Sequence, residues 1–249
     1  MSRSEFNPKE LNNRLLSALS PEAYRSLQSN LEIVSLGFKQ VLFHPQEQIA
    51  YVYFPTSSLV SLLTVMTDGT AVEVGVVGNE GMAGIPLFLG TDISSFRAIV
   101  QIPGEAVRLR ADVFKQAIDR VDTLSLWLKR YINLLLLQIA QTSACNSRHT
   151  VEQRCCRWLL MMHDSAIADK FEVTQEFLAQ MLCVRRASVT EVAIKLQKTG
   201  LLQYNRGKMT ICNRQGLEAT TCECYSLLRA ERDRLFGWQS CSCNPIVSD

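Results

Sequence analysis

The chain has 249 residues, 47% of them hydrophobic and 20% charged, with a formal net charge of +2. That length supports one large domain or two modest ones, and the balance of residues is not that of a disordered chain. No apolar run approaches a bilayer span, and the opening "MSRSEFNPKE" lacks the apolar centre of a secretory signal, so a cytoplasmic protein without a membrane segment is expected.

The chain carries nine cysteines, all at or beyond Cys145. An odd count without an export signal argues for reduced thiols rather than a disulfide framework. Charge is unevenly spread: residues 183–214 hold seven Lys/Arg and one acid, Glu191, against nineteen basic and twenty-three acidic residues elsewhere. A basic island on a slightly acidic protein points to a polyanion partner at one place, although a solvated charged face gives the same count.

In chain order, a helical lead-in (residues 15–27) precedes a strand-rich zone over 31–109. "YVYF", "SLVSLLTV", "AVEVGVV" and "RAIVQI" are β-branched or aromatic and are separated by turn residues. Asp68-Gly69 is a hairpin signal, followed by alternation at Val72, Val74 and Val76. Short strands at this spacing without intervening helices suggest an antiparallel jelly roll or sandwich. Residues 121–147 then form one long helix with no Gly or Pro. Val121, Leu124, Leu128, Tyr131/Ile132, Leu135, Ile139 and Thr142 recur at helical steps, a seam suited to a partner helix. Leu134, Leu136 and Leu137 make its middle apolar nearly all round, so it needs cover on more than one side. Packing on its own β-domain and on the same helix of a second copy satisfies that need; a buried core helix in a monomer is the alternative.

From about Thr150 the order is helix, helix, turn, helix, basic hairpin. In "VTQEFLAQMLCVRRASVTEVAIKLQKTGLL", Thr174 is a good N-cap, and Val173 and Leu178 occupy the positions of a hydrophobic staple. Phe177/Leu178 and Met181/Leu182 make an inner face. A second helix from near Arg186 buries Val189, Val192/Ala193 and Leu196, and Gly200 stops it. The hairpin around Asn205-Arg206-Gly207-Lys208 supplies a basic wing. A helix-turn-helix lays the start of its second helix in the DNA major groove. Arg186 and Glu191 are the expected base contacts, with Arg185, Ala187 and Ser188 beside them, because a guanidinium bonds guanine bidentately and a carboxylate accepts from cytosine. Thr174, Gln175, Lys195, Lys198, Arg206 and Lys208 are expected at phosphates.

Here "LFHPQEQIAYVYFPTSSLVSLL" resembles early jelly-roll strands, "VGNEGMAGIPLF" a phosphate-binding cassette, and "RHTVEQRCCRWLL" with the stretch above a DNA-binding domain, all of the Crp–Fnr superfamily of bacterial transcription regulators. The resemblance implies an α+β chain with an N-terminal antiparallel β jelly roll, a long dimerisation helix and a C-terminal winged helix-turn-helix. It implies double-stranded DNA, a second copy and RNA polymerase as partners, and no enzymatic activity. The divisions expected are a lead-in (1–30), a cyclic nucleotide-binding-like β-roll (31–118), the dimerisation helix (119–148), the DNA-binding domain (149–236) and a cysteine-containing tail (237–249). The family's base-reading arginine falls on Arg186, and two further reading positions fall on Ala187 and Glu191, so the operator should differ from those of the best-known members.

Gly81, Met82, Ala83 and Gly84 with Phe96, Arg97 and Ala98 are the candidate effector pocket. Met82 stands where nucleotide-binding members carry a ribose-binding glutamate, and Phe96 aligns with their phosphate-binding arginine. Methionine and phenylalanine do neither job, and a one-residue slip would turn Arg97 to the other strand face. Cyclic AMP is therefore not the expected effector. No cofactor is assigned, and an unidentified small molecule or no ligand at all remain the alternatives. The N-terminal cysteines of iron–sulfur members are absent, and His44, His149 and His163 read as ordinary histidines. Cys222/Cys224 and Cys241/Cys243 form two CxC pairs, but no metal site is assigned. Of adjacent Cys155 and Cys156, one is expected in the core. Cys183 stands in the helix-turn-helix turn, where glycine is free of strain; drift, or a thiol whose oxidation distorts the reader, would each account for it. A thiol- or metal-dependent enzyme on the cysteine-rich half is the rival from another class, with Cys145 four residues from His149 but nothing in the sequence completing a site.

Overall fold

The computed structural model describes residues 12–165, 169–205 and 207–236. Two short helices open it, α1 (Arg14–Ser17) and α2 (Pro21–Gln28), each capped by the side chain before it, Asn13 and Ser20. Asn13 is fully buried, and its amide also donates to the carbonyls of Pro55 (2.9 Å) and Gly81 (3.1 Å). One polar side chain thus ties the lead-in to the strands behind it.

Seven strands follow: β1 (Glu32–Leu36), β2 (Val41–Phe43), β3 (Tyr51–Pro55), β4 (Leu59–Val65), β5 (Ala71–Val77), β6 (Arg97–Ile102) and β7 (Gly104–Arg110). They form two antiparallel sheets, β1-β7-β3 and β2-β6-β4-β5. The β4–β5 hairpin turns at Asp68-Gly69, where Asp68 accepts from the Thr70 amide and Gly69 has φ +85°. Val52, Phe54 and Leu109 from one sheet meet Val60, Leu62 and Val77 from the other in the roll's core.

After α3 (Ala111–Arg120), α4 (Asp122–Arg148) runs 27 residues, about 40 Å at the α-helical rise. Its packing corrects the seam expected from sequence. Leu124, Leu128, Tyr131, Leu135 and Thr142 are buried within the chain itself. The exposed apolar stripe lies on another face, with Leu126 48%, Leu136 61% and Leu137 37% exposed. Periodicity finds both stripes but does not say which one the β-roll covers.

The C-terminal part consists of α5 (Val151–Ser165), β8 (Lys170–Glu172), α6 (Gln175–Met181), α7 (Arg186–Lys198), β9 (Leu202–Asn205), β10 (Lys208–Ile211), α8 (Arg214–Thr220) and α9 (Glu223–Phe236). Strands β8, β10 and β9 form a small antiparallel wing. Helix α9 packs on α4 and α5, and Arg214 on α8 joins Asp164 of α5 (2.6 Å) to Tyr225 of α9 (2.5 Å). Cys155 and Cys156 are both buried, where sequence placed only one inside, because α5 is covered on several sides.

A second core joins the roll to this domain. Leu59, Leu63 and Val76 pack with Trp158, Leu159 and Phe177, and Phe38 meets Phe177 edge-on at 5.6 Å. Strand β5 therefore has both faces covered. Glu73 is buried beneath α5 while Val72 and Val74 are half-buried. Its carboxylate accepts from Ser61 Oγ (2.7 Å) and Trp158 Nε1 (3.0 Å). Burial pushes the Glu73 carboxyl up to about 7, against the lowering effects of Ser61, Arg157 and Trp158.

Candidate nucleic-acid interface and effector pocket

The helix-turn-helix forms from local signals. Thr174 Oγ1 accepts from the Phe177 amide at 3.1 Å and caps α6. Val173 and Leu178 are each 1% exposed, and Phe177, Met181 and Leu182 are buried with them. On α7, Val189, Ala193 and Leu196 face inward, Val192 is partly buried, and Gly200 at φ +71° ends the helix.

That inward packing leaves Arg185, Arg186, Ala187 and Glu191 exposed and Ser188 half-buried at the start of α7. Arg185 occupies the N-cap, so both arginines stand at the end of the helix that enters the groove in this motif. Arg185, Arg186 and Lys198 make no ion pair among the described residues and are open to an anion. Lys195 instead binds Glu152 of α5 at 2.7 Å, and Lys208 lies 3.9 Å from Glu172. Thr174 is exposed, whereas Gln175 is engaged within the fold: its amide donates to the Tyr204 hydroxyl and its side chain accepts from Thr190. The wing pairs to this region through Val173 N donating to Gly207 O at 2.9 Å. Arg206 lies outside the described residues.

Between α6 and α7, Cys183 is exposed and has φ +52°. A non-glycine residue there costs about 1–2 kcal/mol. The turn is held by Cys183 N donating to Gln180 O and Val184 N to Ala179 O. Buried Arg154 on α5 donates to the Leu182 carbonyl immediately before it. Sequence reasoning missed this arginine, whose side chain braces the turn from below.

In the β-roll, Met82 is fully buried and lines a pocket of about 160 Å³ with Phe43, Leu62, Phe96, Ile132 and Leu136. Ala83 and Gly84 also line it, and Ala98 of β6, paired with pocket-lining Leu62, is buried. Arg97 is not among the lining residues, since β-strand alternation turns it to the opposite face. Among the described residues Ser94 is the only polar lining side chain, and its hydroxyl donates to Phe96 O at 2.8 Å. The cassette glycines serve close packing. A Cβ on Gly81 would fall 2.3 Å from the Tyr131 ring of α4, and one on Gly84 would fall 2.9 Å from Val52.

Residues 34–121 match the cyclic nucleotide-binding domain, and residues 153–220 match the Crp-like helix-turn-helix domain. Together the two matches span more than half of the chain. The chain belongs to the Crp–Fnr superfamily. Its fold is that of solved family structures. FixK2 from Bradyrhizobium japonicum superposes with a TM-score of 0.65 at 16% identity, over 77% of this chain and 98% of that one. A transcriptional regulator of the Crp/Fnr family from Eubacterium rectale gives 0.63 at 14%, over 83% and 96%. CLP of Xanthomonas campestris, described as a c-di-GMP responsive global regulator, gives 0.60 at 17%, over 77% and 99%. No curated protein matches the chain. Among the described residues no helix is long and apolar enough to cross a membrane.

The pocket is lined almost wholly by apolar side chains. It offers no charged group to a ribose or a phosphate, and it is smaller than the roughly 300–1,000 Å³ of ordinary ligand sites. Cys145 in the last turn of α4 and His149 just past its end are brought against Cys222 and Cys224 at the start of α9. Sequence reading left Cys145–His149 incomplete and matched Cys222/Cys224 with Cys241/Cys243, which lie outside the described residues. The available signal was an i, i+4 Cys/His pair together with a CxC pair, and no rule of sequence joins the two across 77 residues. Burial pushes the Cys145 thiol up to about 12, and it raises the Cys224 thiol as well.

Proposed function

We propose that this Crp–Fnr regulator acts as a homodimer on a palindromic DNA site, reading bases with Arg186 and Glu191 and with Arg185, Ala187 and Ser188 beside them. The observation that carries the reading is the start of α7, where Arg185, Arg186, Ala187 and Glu191 are exposed together while the opposite face is packed. Lys198, Lys208 and Thr174, all exposed, would hold phosphates on either side. The second copy would pack along the exposed Leu126, Leu136 and Leu137 stripe of α4, which pairs like surfaces under a two-fold axis. Such a dimer sets half-sites about one helical turn apart, near 34 Å. RNA polymerase is the downstream partner in this reading.

The effector, if the roll takes one, is small and apolar rather than a cyclic nucleotide. The pocket is bounded by Met82 and Phe96 on one side and by Ile132 and Leu136 of α4 on the other, so occupancy would bear on the long helix directly. A regulator that needs no ligand is the second reading, favoured by the side chains that already fill the cassette. Fluorescence anisotropy with the selected operator tests the core proposal. Arg186→Ala should weaken specific binding while leaving salt-dependent non-specific binding largely intact; equal losses in both would refute the base-reading role.

A further inference from the structure

We propose that Cys145, His149, Cys222 and Cys224 form a closed Cys3His site for one zinc-class ion, which fastens the DNA-binding domain to the end of the long helix. Their four ligand atoms all lie within 4.8 Å of one another. Cys145 Sγ stands 3.6 Å from Cys222 Sγ, and Cys224 Sγ stands 3.5 Å from His149 Nδ1. A tetrahedral zinc with bonds of about 2.3 Å to sulfur and about 2.0 Å to nitrogen has edges of roughly 3.5–3.8 Å. A disulfide would need about 2.05 Å. Both of these distances match edges of such a tetrahedron, and 3.6 Å is too long for a bond between the two sulfurs.

The surroundings are built for the same purpose. His149 turns its other nitrogen, Nε2, to Glu223 Oε2 at 3.3 Å, which leaves Nδ1 facing the thiols. Histidine ligands are commonly oriented by such a carboxylate. Gln141 Nε2 donates to Cys224 Sγ at 3.0 Å, a contact suited to a thiolate. Three thiolates and a divalent ion leave one negative charge. Buried Arg157, whose Nε has no partner among the described residues, sits near Cys145 where it offsets that charge.

The ligand set selects the ion. Thiolate with imidazole suits zinc over magnesium or calcium, and four protein ligands leave no open position for a substrate. The site is therefore structural, not catalytic. Loading replaces the thiol protons with one metal, so no oxidant or reductant takes part. Cys145 lies in the last turn of α4 and His149 just past its end, with the other two ligands at the start of α9, which packs on α5, so the ion holds the reading head against the helix that faces the β-roll.

The test uses the full-length protein purified under reductant without added chelator. Elemental analysis should find about one zinc per chain. After chelation, cobalt titration should give the visible bands and the sulfur-to-cobalt charge-transfer absorption of a tetrahedral thiolate site. On wild-type protein, alkylation mapped by mass spectrometry should reach Cys145, Cys222 and Cys224 together after chelation and none of them before. This measurement needs no variant, so it stands even if Cys222→Ser fails to fold. Glu223→Gln should weaken metal affinity about 10–100-fold, and Cys212→Ser, at an exposed thiol just after β10 and outside the cluster, should not change it. Metal-free protein whose thiols react equally with and without chelator, or cobalt spectra unchanged in Cys222→Ser, would overturn the proposal.

Discussion

Trp158 of α5 donates its indole N–H to Glu73 of β5 at 3.0 Å, across the junction between the β-roll and the DNA-binding domain. Both side chains are buried, so the bond is part of a core shared by the two domains. The folded chain holds the Glu73 proton up to about pH 7, above the range of the unfolded carboxyl. Stability from the neutral form is therefore fully present below the ordinary carboxylate range and is lost as pH rises toward 7. Glu73→Gln keeps a neutral hydrogen-bonding group. The expected outcome is that the variant gains stability over wild type at pH 8 relative to pH 5, by up to about 3 kcal/mol. Denaturant midpoints at the two pH values measure it, and a difference independent of pH would sink the idea.

At the reading head, Arg186→Ala should cost about 1–3 kcal/mol of specific binding and relax the preference at one base pair. Lys198→Ala should weaken binding to all sequences alike and reduce the salt slope by about one. Anisotropy across a salt series separates the two patterns.

The turn at Cys183 carries strain that glycine does not have. Cys183→Gly should stabilise the protein by about 1 kcal/mol, measured by denaturation, while Cys183→Ser should change stability little. The same serine variant addresses oxidation. Equal operator affinity for Cys183→Ser and wild type, with and without mild peroxide, would exclude a thiol switch at this turn.

Leu136 is 61% exposed on α4, beside Leu137. Leu136→Glu should give monomers in sedimentation where the wild type gives the proposed dimer, and should lower operator affinity without unfolding the chain. A variant that still sediments as a dimer would place the two-fold interface elsewhere.

The helix-turn-helix was legible because its signals are local. Thr174, the Val173–Leu178 staple and Gly200 each act within one or two turns of chain. The β5 interior was not. Glu73 looks like the solvent side of an alternating strand, and its burial depends on Trp158, 85 residues away. On α4 the periodicity was right, but the stripe assigned to a partner is covered by the chain's own roll. The cysteine cluster failed for the same reason, because each half is unremarkable until α9 returns to α4. Close pairs in sequence report local structure, and contacts across domains need the fold.

The most direct measurement is selection of bound fragments from a random genomic DNA pool by the purified protein, with no effector added and under reductant. The expected result is an enriched palindrome with half-sites about one helical turn apart, near 34 Å, and binding that falls steeply with salt. Binding without any shared motif, and insensitive to salt, would contradict a dimeric DNA reader.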